Sequence, residues 1–220
     1  VRFVKNSARP RLGDIHLPDL RDGDPDDLAA HEKFEELRFD ATALDGRDLA
    51  GISFSECEFL GVSAHETDLR AATFVDVKVH RLNAPILSAP RSTLRSVIIE
   101  GSRIGSAELY EASMRSVHFV GCKLGYLNLR GANLQDVQFT GCSIDELDLG
   151  GASVTRLAFD ETETRVLDVT RATLADVDLR GLQFRQVNGL DGLKGSTMSS
   201  AQVTDLAAMF AAKIGIDIED

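Results

Sequence analysis

Gly131-Ala132-Asn133-Leu134-Gln135 holds, in five residues, a pattern that the neighbouring chain repeats. Leu134 is large and apolar. Ala132, two places earlier, is small, and Asn133 between them is polar. Steps of five return Phe139, Ile144, Leu149, Val154 and Phe159 in one direction. In the other they return Leu129, Leu124, Phe119, Met114, Leu109, Ile104, Ile99 and Leu94. From residue 39 to residue 184 there are 30 such centres, and 26 are Leu, Ile, Val, Met or Phe; Ala64, Ala84, Ala89 and Thr164 are the exceptions. The positions two before each centre are Ala, Ser, Thr, Cys, Val, Ile or Leu in 29 of 30 cases, Arg47 being the odd one out. No insertion breaks the register.

A period of five fits neither the strand period of two nor the helical 3.6. Two inward residues in every five require the chain to turn between one pair and the next. The residue between the pair is mostly Asp, Asn, Ser, Thr, Glu or Lys, as at Asp48, Asp68, Asn83, Asn128, Asn133, Asp148, Asp168 and Asp178, and it is expected to point out. A longer period of 20 is also present: Phe39, Phe59, Phe119, Phe139 and Phe159 share one phase, and Leu49, Leu69, Leu109, Leu129, Leu149 and Val169 another. Four fives make a four-sided coil, so residues 20 apart should stack at the parallel-strand spacing of about 4.8 Å. Seven to eight coils are expected between residues 39 and 184. Residues ten apart then face each other. Ala64 and Ala84 are thus expected to be answered by Phe54, Phe74 and Leu94, leaving a filled interior without a pocket.

The segments Leu44-Asp45-Gly46-Arg47-Asp48-Leu49, Leu129-Arg130-Gly131-Ala132-Asn133-Leu134 and Leu179-Arg180-Gly181 resemble pentapeptide-repeat proteins over about two thirds of the chain. The resemblance implies a right-handed quadrilateral β-helix, an all-β solenoid. The expected organisation is an N-terminal arm and cap over 1–36, the repeat helix over 37–187, and a linker, helix and tail over 188–220. Within that family the chain is similar to the quinolone-resistance group, of Qnr and Mfp types. That similarity implies an acidic rod that mimics DNA and binds a type II topoisomerase. The acids it would present are Asp136, Asp145, Glu146, Asp148, Asp160, Glu161, Glu163, Asp168, Asp176 and Asp178. The unbroken register leaves no room for projecting loops, which is closer to the Mfp type.

Net charge is −11, unevenly spread. Residues 1–77 carry 9 basic and 17 acidic side chains, residues 78–130 carry 8 and 3, and residues 131–220 carry 7 and 15. The rod therefore has acidic ends and a basic waist that includes Arg81, Arg91, Arg95, Arg103, Arg115, Lys123 and Arg130. Arg95 with Arg115, and Arg103 with Lys123, share stacking phases and should form basic ladders. Charge of this kind bears on partners, not on fold. The bland reading is a protein-binding rod without catalysis; direct nucleic-acid binding is not expected.

Nothing in the motifs points to an enzyme, a cofactor or a metal. His16, His31, His65, His80 and His118 are scattered, and no G-x-S-x-G, P-loop or dinucleotide fingerprint occurs. Cys57, Cys122 and Cys142 all fall at the small inward position and read as buried thiols. No apolar run approaches a membrane span, and a cytoplasmic location is the default expectation.

Towards the ends the pattern lapses. Residues 1–23 read as an extended arm lying along the first coil. Asp24-Pro25-Asp26-Asp27 signals a short helix over about 25–33. Ala84-Pro85 and Ala89-Pro90 predict a local bend or narrowing. A helix is expected over about 200–213, with Val203, Leu206, Ala207, Phe210 and Ile214 on one apolar face. That face either plugs the last coil or pairs two chains into a homodimer. A short strand is expected in Ile216-Asp217-Ile218-Glu219-Asp220.

Overall fold

The corners demanded by the five-residue pattern are visible in the backbone. In the computed structural model, which describes residues 8–219, left-handed residues recur at five-residue spacing on three of the four corners. Ser96, Ser116, Asp136 and Arg156 hold one corner at φ 54 to 59°, and Gly101, Gly121 and Gly141 the next at 59 to 61°. A third corner is a hydrogen-bonded turn. Ala112 N–H donates to Leu109 O at 3.2 Å, Ala132 to Leu129 at 3.1 Å and Ala152 to Leu149 at 2.9 Å. Positive φ at Glu111, Gly131 and Gly151 makes these type II turns. At the fourth corner, from residue 86 onward, the strand runs straight through, as in Arg103–Glu108, Lys123–Asn128 and Ser143–Asp148.

The result is a right-handed, four-sided β-helix, built as two stacks of parallel strands of 13 and 7 members. Each coil bonds to the one twenty residues on: Phe119 lies in register with Phe139, and Phe139 with Phe159. Their rings stack at centroid distances of 4.6 and 5.3 Å with planes 5° and 12° apart. The solenoid has about nine turns rather than seven to eight. Arg21–Asp22 pairs below the first regular coil and Ser196–Thr197 above the last. Neither segment carries the repeat, so the pattern could not count them.

Arg47, the exception among the small inward positions, has a structural task. Its guanidinium donates to the carbonyls of Pro25 and Leu28, the second at 2.8 Å, and so ties the N-terminal segment across the open end. The helix expected over 25–33 is only a 3-10 turn, Pro25–Asp27, capped by the Asp24 carboxylate on Asp26 N–H at 2.9 Å. The chain then extends to pair Lys33–Glu35 with Ser53–Ser55, because strand pairing offers these residues more hydrogen bonds than another helical turn would.

The arm lies along the first coil only at its end, Arg21–Asp22. It runs back along the outside of the rod, with Arg11 N–H on Asp136 Oδ1 at 2.9 Å and Gly13 N–H on Ser116 Oγ at 3.1 Å. Two arm residues thus span one coil. Ile15 of the arm is buried but lies outside the axial core cluster.

Towards the C-terminus the core is close-packed, with Val137, Phe139, Leu147 and Leu167 wholly buried. Further back it is hollow. A cavity of about 90 Å³ lies on the axis, with Ala64, Ala89, Phe74, Val79, Leu82 and Ser92 in its wall. The large residues facing the alanines do not fill the volume, which corrects the expectation of a filled interior. The expected bend is also missing, since Asn83–Ser88 stays in register with Arg103–Glu108. Pro90 is tolerated because its position makes no ladder bond with its nitrogen. At the same place in other coils, Arg70, Arg130 and Gly150 donate their N–H to a side chain instead.

The C-terminal helix is broken at Leu206 into Ser200–Asp205 and Ala207–Lys213. Ser199 and Gln202 form a capping box, and Gln202 Nε2 donates to the carbonyls of Leu179 and Leu182 at 2.7 and 2.8 Å, sealing the last coil. Leu206 is buried and Phe210 packs on the core. Val203, Ala207 and Ile214 are exposed, so the expected single apolar face is split. The tail forms no strand through residue 219.

Candidate interaction surface

The rod's chemistry lies on its outer walls. In the basic waist, Arg95 stacks on Arg115 and Arg103 on Lys123, in strand register and on different walls. All four side chains are exposed. None of them has a salt-bridge partner among the described residues. Like charges directly opposite each other on neighbouring strands are destabilising. Arg130 leaves the basic set, because its guanidinium binds Asp148 at 3.0 and 3.2 Å.

The ten candidate acids separate into three groups. Asp136 and Asp148 are buried, which corrects the expectation that they point out. The Asp136 carboxylate takes Arg156 Nε and Nη2 at 2.5 and 2.8 Å, and the guanidinium holds it below the usual carboxylate range. Asp148 receives Arg130, the Tyr126 hydroxyl at 3.1 Å and Gly150 N–H at 2.8 Å. Burial, then the charge and hydrogen bond of Asp148, push Tyr126 up to about 12.

Asp168 and Asp178 stay near the surface, but each carboxylate caps a corner. Asp168 accepts Thr170 N–H at 2.8 Å and Asp178 accepts Arg180 N–H at 3.1 Å. Asp178 also binds the Arg180 guanidinium, which lowers its pKa. Asp48, Asp68 and Asn128 make the same bond to the residue two ahead. The Asp and Asn preference between the inward residues is therefore turn chemistry. It does not mark side chains displayed to solvent. The signal was available in the fixed two-residue offset from the corner.

Asp145, Asp160, Glu161 and Glu163 are exposed, and Glu146 and Asp176 partly so. Asp145 and Glu163 border an open groove of about 390 Å³ that Arg165, Gln183 and Arg185 also line. Ser143 donates to Glu163 at 3.1 Å there. The N-terminal arm, unforeseen as a wall element, covers the corner that Ser116 and Asp136 share.

Cys57, Cys122 and Cys142 are buried free thiols. Sγ of Cys122 and of Cys142 donate to carbonyls of the preceding coil. The thiol of Cys142 and burial together push Cys122 up. Among the described residues no cluster of three or more His, Cys, Asp or Glu could hold a metal ion, and no helix is long and apolar enough to cross a membrane.

An uninterrupted parallel coil of four short walls, filled from inside by every second and fourth residue of a five-residue unit, defines a quadrilateral β-solenoid with a helical cap. The family profile described as pentapeptide repeat region matches residues 92–168 of the chain. Solved structures with similarity include a trypsin-treated variant of QnrB1, a plasmid-mediated fluoroquinolone resistance protein. It is 17% identical, with 87% of this chain and 93% of that chain covered at a TM-score of 0.38. Another is HetL, a pentapeptide repeat protein involved in heterocyst differentiation regulation from the cyanobacterium Nostoc sp. strain PCC 7120. It is 18% identical, with coverage of 78% and 91% and a TM-score of 0.30. No curated protein sequence matches the chain.

Proposed function

We propose that this protein is a non-catalytic scaffold that docks a protein partner along its walls. The observation that carries the reading is the pair of exposed basic ladders, Arg95–Arg115 and Arg103–Lys123, each stacked like on like without a carboxylate partner among the described residues. Such repulsion costs folding stability and is relieved by an acidic surface brought from outside. The stiff solenoid holds the charges at fixed spacing, which favours recognition of an ordered partner. Affinity capture from the source cell, with the wild type against Arg95→Glu/Arg115→Glu and Arg103→Glu/Lys123→Glu, tests it. Partners lost with either double variant support the reading; an unchanged set of bound proteins refutes it.

A second reading draws on the exposed acids Asp145, Asp160, Glu161 and Glu163 of the acidic C-terminal stretch and on the net charge of −11. In it the rod imitates DNA and modulates DNA gyrase or topoisomerase IV. Duplex DNA carries one charge per about 1.7 Å, and the acids taken up by Arg130, Arg156 and Arg180 thin out the imitation. A supercoiling assay with and without the purified protein decides it. Altered supercoiling that disappears in Asp160→Asn/Glu161→Gln/Glu163→Gln supports mimicry; an unaffected enzyme excludes it. On either reading, Val203, Ile214, Ile216 and Ile218, all exposed, are where two copies would join as a homodimer.

A further inference from the structure

The N-terminal arm keeps step with the coils beneath it. Arg21 N–H donates to Glu36 O at 3.1 Å, Gly13 N–H to Ser116 Oγ at 3.1 Å and Arg11 N–H to Asp136 Oδ1 at 2.9 Å. Glu36, Ser116 and Asp136 hold the same left-handed corner of different coils. From Gly13 back to Arg11 the corner advances by one coil of twenty residues, and from Arg21 back to Gly13 by four. Both intervals give two arm residues per coil, about 2.4 Å per residue at the inter-coil spacing, within the reach of an extended chain. The arm therefore follows one corner of the rod from the coil of Glu36 to that of Asp136. Its charge reaches further: the Asp178 carboxyl, held low chiefly by Arg180, is lowered also by Arg9. In the other direction Asp14 falls between the corners of Ser116 and Ser96, whose preceding residues are Arg115 and Arg95. Basic arm residues thus lie towards acids of the rod, and the acidic one towards a basic ladder.

Little fixes the arm in place. Among the described residues, the amides of Arg11 and Gly13 supply the only hydrogen bonds between residues 8–20 and the rod, and Ile15 is the one buried side chain of that stretch. Both donors are main-chain N–H groups, which any extended segment without proline at those places presents. Both acceptors belong to the rod, and the bond to the Asp136 carboxylate is charge-assisted. We propose that this corner is a docking track for an extended segment of a partner protein, basic at its start and acidic a few residues on, and that the arm is its built-in competitor. A second copy's arm is the wrong occupant. It would repeat the resident's contacts without the effective concentration that tethering gives the resident. A partner with further contacts elsewhere on the rod can displace the arm. The track rests on the scaffold reading but fails separately from it: peptide binding reads the corner alone, whereas partner capture with the ladder variants reads the walls.

The probe is a synthetic peptide of residues 8–20, added to the full chain and followed by backbone amide shifts in NMR spectra. In Arg11→Pro/Gly13→Pro both donors are gone from the arm while the rod keeps every residue, so the track should open. Arm signals that collapse to random-coil shifts report the release; where that variant keeps the arm docked, Ile15→Asp takes its place. The peptide should then shift the Ser116 and Asp136 signals at a concentration about tenfold lower than in the wild type, where the tethered arm competes. Adding Asp136→Asn to the released variant should weaken the peptide about tenfold, as loss of a hydrogen bond to a charged group implies. A peptide carrying Arg9→Asp/Arg11→Asp/Asp14→Arg should also bind more weakly. Ser116 and Asp136 signals unmoved by millimolar peptide in the released variant overturn the track. Binding as tight in the wild type overturns the competition, and equal binding of the charge-swapped peptide overturns the charge assignment. A released variant that dimerises by light scattering gives the track to a second copy and overturns the partner.

Discussion

Asp136 and Arg156 occupy the same corner of consecutive coils, both in left-handed backbone, and their side chains close on each other at 2.5 and 2.8 Å. The same carboxylate holds Arg11 N–H. One ion pair therefore joins two coils and moors the N-terminal arm to the wall. Asp136→Asn should free the arm. Hydrogen exchange at Arg11 and Gly13 should accelerate, and trypsin should cut at Arg9 and Arg11 while the repeat region stays resistant. Acid should act alike. The folded pKa of Asp136 is depressed, so its stabilisation is complete above the ordinary carboxylate value of about 3.9 and is lost as pH falls through the lower folded value. Arm protection should fade below about pH 4 in the wild type, and Asp136→Asn should lack that transition.

Filling the axial cavity should raise stability. Residual cavity volume costs about 24 cal/mol per Å³, so about 90 Å³ corresponds to about 2 kcal/mol at most. Ala89→Val recovers part of it, and the melting temperature should rise. The same change at Ala132, in the dense half and already buried among packed neighbours, should lower it. Differential scanning calorimetry of the two variants distinguishes a real hollow from uniform packing.

Gly105 and Gly125 mark a wall where coils approach too closely for a side chain. A Cβ on Gly125 would stand 2.1 Å from Gly105 O, and one on Gly105 would stand 2.5 Å from Pro85 O. Backbone oxygens cannot rotate aside, so Gly125→Ala should destabilise by about 1–3 kcal/mol through overpacking. Gly121→Ala meets no atom within 4 Å; its cost is confined to the left-handed backbone and should be smaller. Urea midpoints should rank the two variants in that order.

The two tyrosines offer an alkaline test. Tyr126, pushed up to about 12, stays protonated in the folded state after an unfolded tyrosine ionises near 10. The unfolded state then holds fewer protons, so stability should fall as pH rises from about 10 towards 12. Tyr126→Phe should flatten that decline. Ultraviolet titration should show a late tyrosinate that vanishes in the variant.

The C-terminal helix separates capping from pairing. Leu206→Ala removes a buried side chain over the last coil and should cost about 2–5 kcal/mol. Ile214→Ser alters an exposed residue and should leave the melting temperature unchanged. Light scattering then reports on association: a dimer that becomes a monomer in Ile214→Ser places the interface on the tail side of the helix, and a dimer that persists excludes it.

The coil was legible because its cause is local. Each five-residue unit specifies one large and one small inward residue, and stacking repeats that choice until Phe139 can only lie between Phe119 and Phe159. Features that depend on a partner distant in the chain were not. Arg47 departs from the pattern because it serves Pro25 and Leu28, and nothing around it announces that. The arm reaches Asp136 across 125 residues of sequence through backbone amides, which leave no mark on side-chain composition. The candidate acids misled for a related reason: Asp148 and Asp178 look alike between their inward neighbours, yet one is buried beneath Arg130 and Tyr126 and the other is not.

The unbroken register also governs how such a chain can change in length. Adding or removing five residues would carry every later side chain a quarter of the way round the axis, parting Arg95 from Arg115 and bringing the phenylalanine column under a different wall. Only a whole circuit of twenty residues leaves each surface where it was. Natural lengthening or shortening of this rod should therefore proceed by entire storeys, with whatever docks on it keeping the same compass bearing and changing only in height.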